Sequence, residues 1–285
     1  MRPDEMDLPG APSMPPIVAR PVTERAATPP DAFTAPSALR LREVAPRAAA
    51  LDLALILLTA LVVPHALDLL IAVARGPSVD FEVGWLVVAA KWFDALLVVG
   101  LAAYLILRTG VRPASLGLRF DRPLAQVGWG LLALLPIYAY MLASAVVVLA
   151  ILLAIPGWQD DLRHRVEMTS AMPIENLGLT LMLLVPVAIH EEVLFRALLI
   201  PYLRRVFGSW WSAVLVSSVV FGVLHIHQGA IGCLQITGLA IVLAVLFIAT
   251  RSVIVVIVAH YAFDLAQFQL IRLLGPVLEQ FRAAT

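Results

Sequence analysis

The sequence predicts an all-α fold, a polytopic bundle of about seven transmembrane helices, with six to eight as the range. Three observations carry that prediction. Of 285 residues, 61% are hydrophobic and only 14% charged, whereas soluble domains carry about 25% charged residues. With a mean hydropathy of +0.92, the apolar surplus exceeds what one soluble core buries, so it faces lipid. The apolar residues also fall into seven stretches, 48–74, 82–107, 126–155, 176–202, 209–227, 230–250 and 252–274, each close to the roughly 20 residues that cross a bilayer as a helix.

Residues 1–46 come first and differ from the rest. Pro and Ala dominate, charges are scattered, and apolar runs are too short for the core of a signal peptide. This composition predicts a disordered tail ahead of a membrane domain at 47–285. Arginine placement orients the spans. With the N-terminus cytoplasmic, ten arginines (Arg40, Arg42, Arg47, Arg108, Arg112, Arg119, Arg122, Arg204, Arg205 and Arg251) fall inside and five (Arg75, Arg163, Arg165, Arg272 and Arg282) outside. That is the bias of the positive-inside rule. Between the second and third spans, Arg112 to Phe120 alternates basic and apolar residues, as a segment lying on the cytoplasmic leaflet would. The third stretch, 126–155, is long enough to tilt or to break at Pro136. The loop 157–175, with Asp160, Asp161, Arg163, His164, Arg165 and Glu167, is the most polar connection, either a solvated loop or a cap over a site.

The fourth span holds the costliest residues, His190-Glu191-Glu192-Val193-Leu194-Phe195-Arg196. Insertion scales put one charge near mid-bilayer at roughly 2.5–3.5 kcal/mol, so such residues mark function by default. Glu192 and Arg196, four apart, share a helix face and suit an ion pair. Glu191, about 100° around the helix, is left as the carboxylate facing the bundle interior, a general-base candidate. The alternative is a helix end at the membrane surface, where the same charges cost little. His225 closes the fifth span four residues after Phe221, with His227 two residues on; taken alone, His225 reads first as a hydrogen-bonded structural histidine and second as a catalyst. In the seventh, His260 and Asp264 share a face at i, i+4, as catalytic groups or as a polar clamp between helices. Three spans with inward polar groups can together activate a water and hold an oxyanion.

Other chemistries are excluded. Net charge is zero with no basic block, so no nucleic acid partner is expected. Cys233 is the single cysteine, which rules out a disulfide framework and a multi-cysteine metal site. The zinc-protease pattern His-Glu-x-x-His would need histidine at position 194, where Leu194 stands. No serine lies in a Gly-x-Ser-x-Gly elbow, and Gly-rich phosphate loops are absent. Carboxylate or metal chemistry remains. One lysine against nineteen arginines suggests a GC-rich bacterial source.

Glu-Glu-x-x-x-Arg at 191–196, Phe-x-x-x-His at 221–225 and His-x-x-x-Asp at 260–264, in this order on successive spans, resemble the CPBP intramembrane proteases. That group includes type II CAAX prenyl endopeptidases and bacteriocin-processing or self-immunity (Abi) proteins. The resemblance covers roughly 110–274. It implies an intramembrane endopeptidase acting on a membrane-bound or lipidated protein or peptide. By the same resemblance, Glu191 and His225 activate the attacking water, Glu192 and Arg196 support them, and His260 and Asp264 stabilise the oxyanion. The family most often has Asn where Asp264 stands, and an ionised Asp accepts hydrogen bonds only. A zinc enzyme using Glu191, His225, His260 and Asp264 as ligands is the alternative, so the cofactor expectation is none or Zn. Two non-proteolytic alternatives are a membrane scaffold or immunity protein, and a proton- or ion-coupled transporter. Against the transporter, the spans show no inverted repeat. The expected location is the bacterial inner membrane, with the N-terminus cytoplasmic.

Overall fold

In the computed structural model, residues 44–64, 85–155 and 176–284 are described, with isolated positions 39, 41, 66, 69, 70 and 73, and side chains are described as far as 273. Every regular element among them is helical. The predicted tail to residue 38, most positions from 65 to 84 and the polar loop 157–175 lie outside the described residues.

Helix α1 (Pro46–Leu57) opens with proline at its first turn, where a missing N–H is no loss. It continues into a π-helical turn, Leu58–Val62. Helix α2 (Trp85–Thr109) follows, then a short 3₁₀ turn, Pro113–Leu116. Helices α3 (Pro123–Leu132) and α4 (Leu134–Ala154) come from one apolar stretch. The expected break is at Pro136, and it falls at Ala133 instead. Proline cannot accept the close approach of the carbonyl four residues before it, so the interruption lands one turn upstream of the ring. Helix α5 (Leu177–Glu192) is capped by Asn176, whose Oδ1 accepts from the Leu179 amide at 3.1 Å. A second π-helical run, Val193–Leu199, leads into α6 (Ile200–Phe207), which Gly208 stops with φ +75°. Helix α7 (Trp210–Leu224), a 3₁₀ turn (Ile226–Gln228), α8 (Gly229–Thr250) and α9 (Val253–Ala284) complete the fold.

Both π runs end two residues before a proline, Pro64 in the first case and Pro201 in the second. A widened i→i+5 turn moves the carbonyl that the proline ring would otherwise strike. The sequence thus sets the π run that follows the paired glutamates through a residue nine positions downstream of Glu192.

Five described helical stretches are long and apolar enough to cross a membrane: Trp85–Thr109, Pro123–Ala154, Leu177–Phe207, Ile226–Thr250 and Val253–Leu273. Trp210–Leu224 is apolar but shorter, and α1 accounts for the start of the remaining stretch. The protein is therefore an integral membrane bundle of roughly seven helices. Residues 35–285 form one compact unit. Within it α5 packs between α2 and α9, α7 lies along α8, α1 lies on α6, and α3 lies on α9. Leu39, Leu41 and Val44 are buried, ahead of the boundary expected at 46–47. The segment from Arg112 to Phe120 is tied down at Gly117, whose carbonyl accepts from the Val253 amide at 2.9 Å. A side chain at Gly117, where φ is +73°, would run into the Phe247 ring.

The centre of the core is the π run. All seven of its residues, Val193–Leu199, are buried, and so is Glu192 just before it. The most expensive polar residues in the chain are thus held where the bundle is densest.

Candidate functional site

The site is assembled around one imidazole. His260, on α9, is buried, and its Nδ1 lies 2.7 Å from Glu192 Oε1. Its Nε2 faces Asp264 Oδ2 at 3.3 Å, one turn along the same helix, and Glu191 Oε2 at 3.7 Å. Both edges of the ring are therefore occupied by carboxylates from two helices. The sequence reading pointed Glu191 and Glu192 to different surroundings. Instead they take opposite edges of the same ring, because α9 lies across the end of α5. Accessibility divides the acids: Glu192 is fully buried, while the Glu191 and Asp264 side chains are 22% and 24% exposed.

Glu192 is held by Arg196, whose Nη1 donates to Oε1 at 2.9 Å, with both side chains out of solvent. The guanidinium also donates from Nη2 to the Ala240 carbonyl on α8 at 3.4 Å. Its remaining surface rests on Phe221, with Cζ 4.9 Å from the ring centroid, a cation–π contact. Such pairing is what a buried charge requires, since desolvating two unpaired ions costs several kcal/mol each (roughly). Glu192 Oε2 nevertheless has no hydrogen-bond partner, and it is the one orphan atom of the cluster.

His225 joins from α7. It occupies the C-cap, where α7 ends after 15 residues, a rise of about 22 Å against a hydrocarbon core of about 30 Å. The polar turn Ile226–Gln228 follows directly and leads into α8. His225 Nδ1 lies 2.8 Å from the Phe221 carbonyl oxygen. A carbonyl only accepts, so Nδ1 carries the hydrogen and the neutral ring presents Nε2 as its basic nitrogen. The ring lies 4.7 Å from Phe221 and 5.8 Å from His227. Among the described residues no hydrogen bond or ion pair joins His225 directly to Glu191 or His260; the connection runs through Phe221 and Arg196.

The structure thus brings Glu191, Glu192, Arg196, His260 and Asp264 into one contact group, with His225 one ring away. Among the described residues no three His, Cys, Asp or Glu side chains are grouped to hold a metal ion. Three contributors escaped the sequence reading. The Ala240 carbonyl is backbone, with no signature in residue type. Ser217, which donates to the Phe195 carbonyl at 3.1 Å, looks like any serine in an apolar helix. Phe195, edge-on to Phe221 at 4.8 Å, looks like core.

Comparison with curated proteins and with solved structures gave no match. Residues 173–266 match a protein-family model described as type II CAAX prenyl endopeptidase Rce1-like. All six site residues lie inside that stretch, from Glu191 to Asp264. Over residues 173–266 the chain is similar to the CAAX/CPBP family of proteases, through its Rce1-like members.

Proposed function

We propose that this protein is an intramembrane endopeptidase that hydrolyses a peptide bond in a membrane-associated or lipidated protein or peptide. The observation that carries the proposal is the flanking of His260 Nε2 by two partly exposed carboxylates, Glu191 and Asp264, beside a third that is sealed in the core. Water reaches the first two and not the third. Glu191 takes a proton from a water molecule, and His225 Nε2 orients that water or shares its proton. The oxygen attacks the peptide carbonyl carbon, and the carbonyl π electrons move onto its oxygen. His260 Nε2–H donates to this oxyanion; Asp264 adds a second donor only as the carboxylic acid. Collapse breaks the C–N bond, and the proton held by Glu191 passes to the departing amine. Glu192 and Arg196 do not touch the substrate; they hold His260 at its Nδ1 edge. The N-terminus is assigned to the cytoplasmic side of a bacterial inner membrane, from the arginine distribution.

Glu191→Gln tests the assignment, assayed with a fluorogenic membrane peptide alongside zinc quantification and a chelator. The substitution should lower kcat by about 10²–10⁴-fold, the usual share of one general base, with thermal unfolding unchanged because Glu191 is partly exposed. Cleavage should survive the chelator. Undiminished cleavage by Glu191→Gln would remove the general-base role. Stoichiometric zinc with chelator-sensitive cleavage would replace the mechanism by a metal-assisted one.

A further inference from the structure

We infer that Phe221 is the positioning residue that sets His225 in register with the Glu192–Arg196–His260 cluster; the inference rests on the hydrolase assignment above. Four contacts meet at this one buried residue. Its ring carries the Arg196 guanidinium at 4.9 Å. It receives the Phe195 ring edge-on at 4.8 Å, with an interplanar angle of 90°. It lies against the His225 imidazole at 4.7 Å. Its own carbonyl oxygen accepts from His225 Nδ1 at 2.8 Å. The carbonyl fixes which histidine nitrogen is basic, and the ring fixes where that nitrogen sits relative to Arg196.

The frame behind Phe221 is rigid. At the next position, a side chain on Gly222 would overlap Thr237 Oγ1 and meet the Cys233 carbonyl of α8. Thr237 is itself tied to Cys233, its hydroxyl donating to that carbonyl at 2.8 Å. Cys233, Thr237 and Ala240 fall at i, i+4 and i+7, one stripe of α8. That stripe meets Gly222 through its first two residues and Arg196 through the third. Helix α8 therefore fixes the backbone of α7 at residues 221–222 and the head of Arg196 together, and Phe221 spans the gap between them. An aliphatic residue here would fill volume, but it offers no face to a cation and no plane for the imidazole to lie against.

The test uses the full chain in lipid nanodiscs and measures kcat, KM and the pH–rate profile. Phe221→Leu should lower kcat at least tenfold with KM within about twofold, and should change the pH–rate profile. Phe221→Tyr, which keeps the ring, should recover most of the rate. Should Phe221→Leu fail to fold, 3,4,5-trifluorophenylalanine at position 221 decides, because it keeps the shape and weakens the ring's hold on a cation. A drop in kcat of threefold or more is expected there, and an unchanged rate overturns the inference. Glu191→Gln runs in parallel. If it is inactive while Phe221→Leu keeps the wild-type rate and pH profile, Phe221 is packing alone. If Glu191→Gln retains full activity, the general-base role fails while Phe221→Leu still decides this inference; if the wild-type chain cleaves no membrane peptide, the hydrolase assignment fails and this inference falls with it.

Discussion

Among the described residues two buried carboxylates pair with arginines, Glu192 and Asp52, and the pairs differ in the burial of the arginine and in what else the acid touches. Glu192 and Arg196 lie on one helix, both out of solvent. Asp52 on α1 is equally buried, but its partner Arg108, at the end of α2, keeps 42% of its side chain exposed. Each acid has one oxygen without a partner, Glu192 Oε2 and Asp52 Oδ2. Glu192 also touches an imidazole, His260 at 2.7 Å. Around Asp52 the further contact is structural: Arg108 extends over Tyr104, 5.8 Å from its ring centroid. Only the first pair lies within the family-matched stretch. A buried charge inside a membrane segment is therefore not by itself a sign of chemistry. What marks the first pair is a third group able to carry a proton, next to carboxylates that water reaches.

The largest effect that separates the pairs comes from removing the buried arginine. Arg196→Met leaves Glu192 sealed in the core without its cation. Breaking a buried pair on one side costs about 3–5 kcal/mol, so thermal unfolding in detergent should shift sharply downward. Peptide cleavage should fall with it, since Glu192 no longer holds His260 in place. A variant that unfolds as wild type does would show that Glu192 is not charged in the folded protein, and the contrast with Asp52 would lose its basis.

Asp52→Asn should be milder. Arg108 already reaches water and recovers its solvation once the pair is gone, so the loss approaches the roughly 0–1 kcal/mol of an exposed ion pair. Cleavage per folded molecule should match wild type. A fall in kcat at unchanged stability would promote α1 from a packing element to part of the site.

How far the sequence alone reached follows the same division. Composition and the length of the apolar stretches predicted an all-helical membrane bundle, because lipid permits few alternatives and each span is written locally. The pairing of Glu192 with Arg196 was legible from a spacing of four. That the polar groups of separate spans converge was expected; that both glutamates meet His260, 68 residues further along the chain from Glu192, was not, because no local pattern encodes how α9 crosses α5. The π run also escaped, since helical periodicity assumes uniform turns and the cause, Pro201, lies beyond the motif. Asp52 was overlooked altogether. It shares its stretch with Asp68 and has no arginine at helical spacing, and its partner is 56 residues away.

Arg119 and Asp121 supply the limit toward which exposed pairs tend. They meet at 2.8 Å, between α2 and α3, with both side chains well exposed. The Asp121 carboxyl is held below its usual value, first by the hydrogen bond from Arg119 and then by one from the backbone. A carboxyl with a depressed folded-state value contributes above its unfolded value, and the contribution is lost as pH falls through the folded one. Any advantage of wild type over Asp121→Asn must therefore be present at neutral pH and gone in strong acid, below the ordinary carboxylate range. Because solvent screens the pair from every side, the expected outcome at neutral pH is an unfolding midpoint indistinguishable from wild type. A clear loss in Asp121→Asn at neutral pH, fading in acid, would show that the segment from Arg112 to Asp121 is a structural clamp on the α8–α9 junction. Exposure alone would then be too weak a criterion for separating Asp52 from Glu192, and the burial of the arginine partner would have to be weighed together with what its helix end touches.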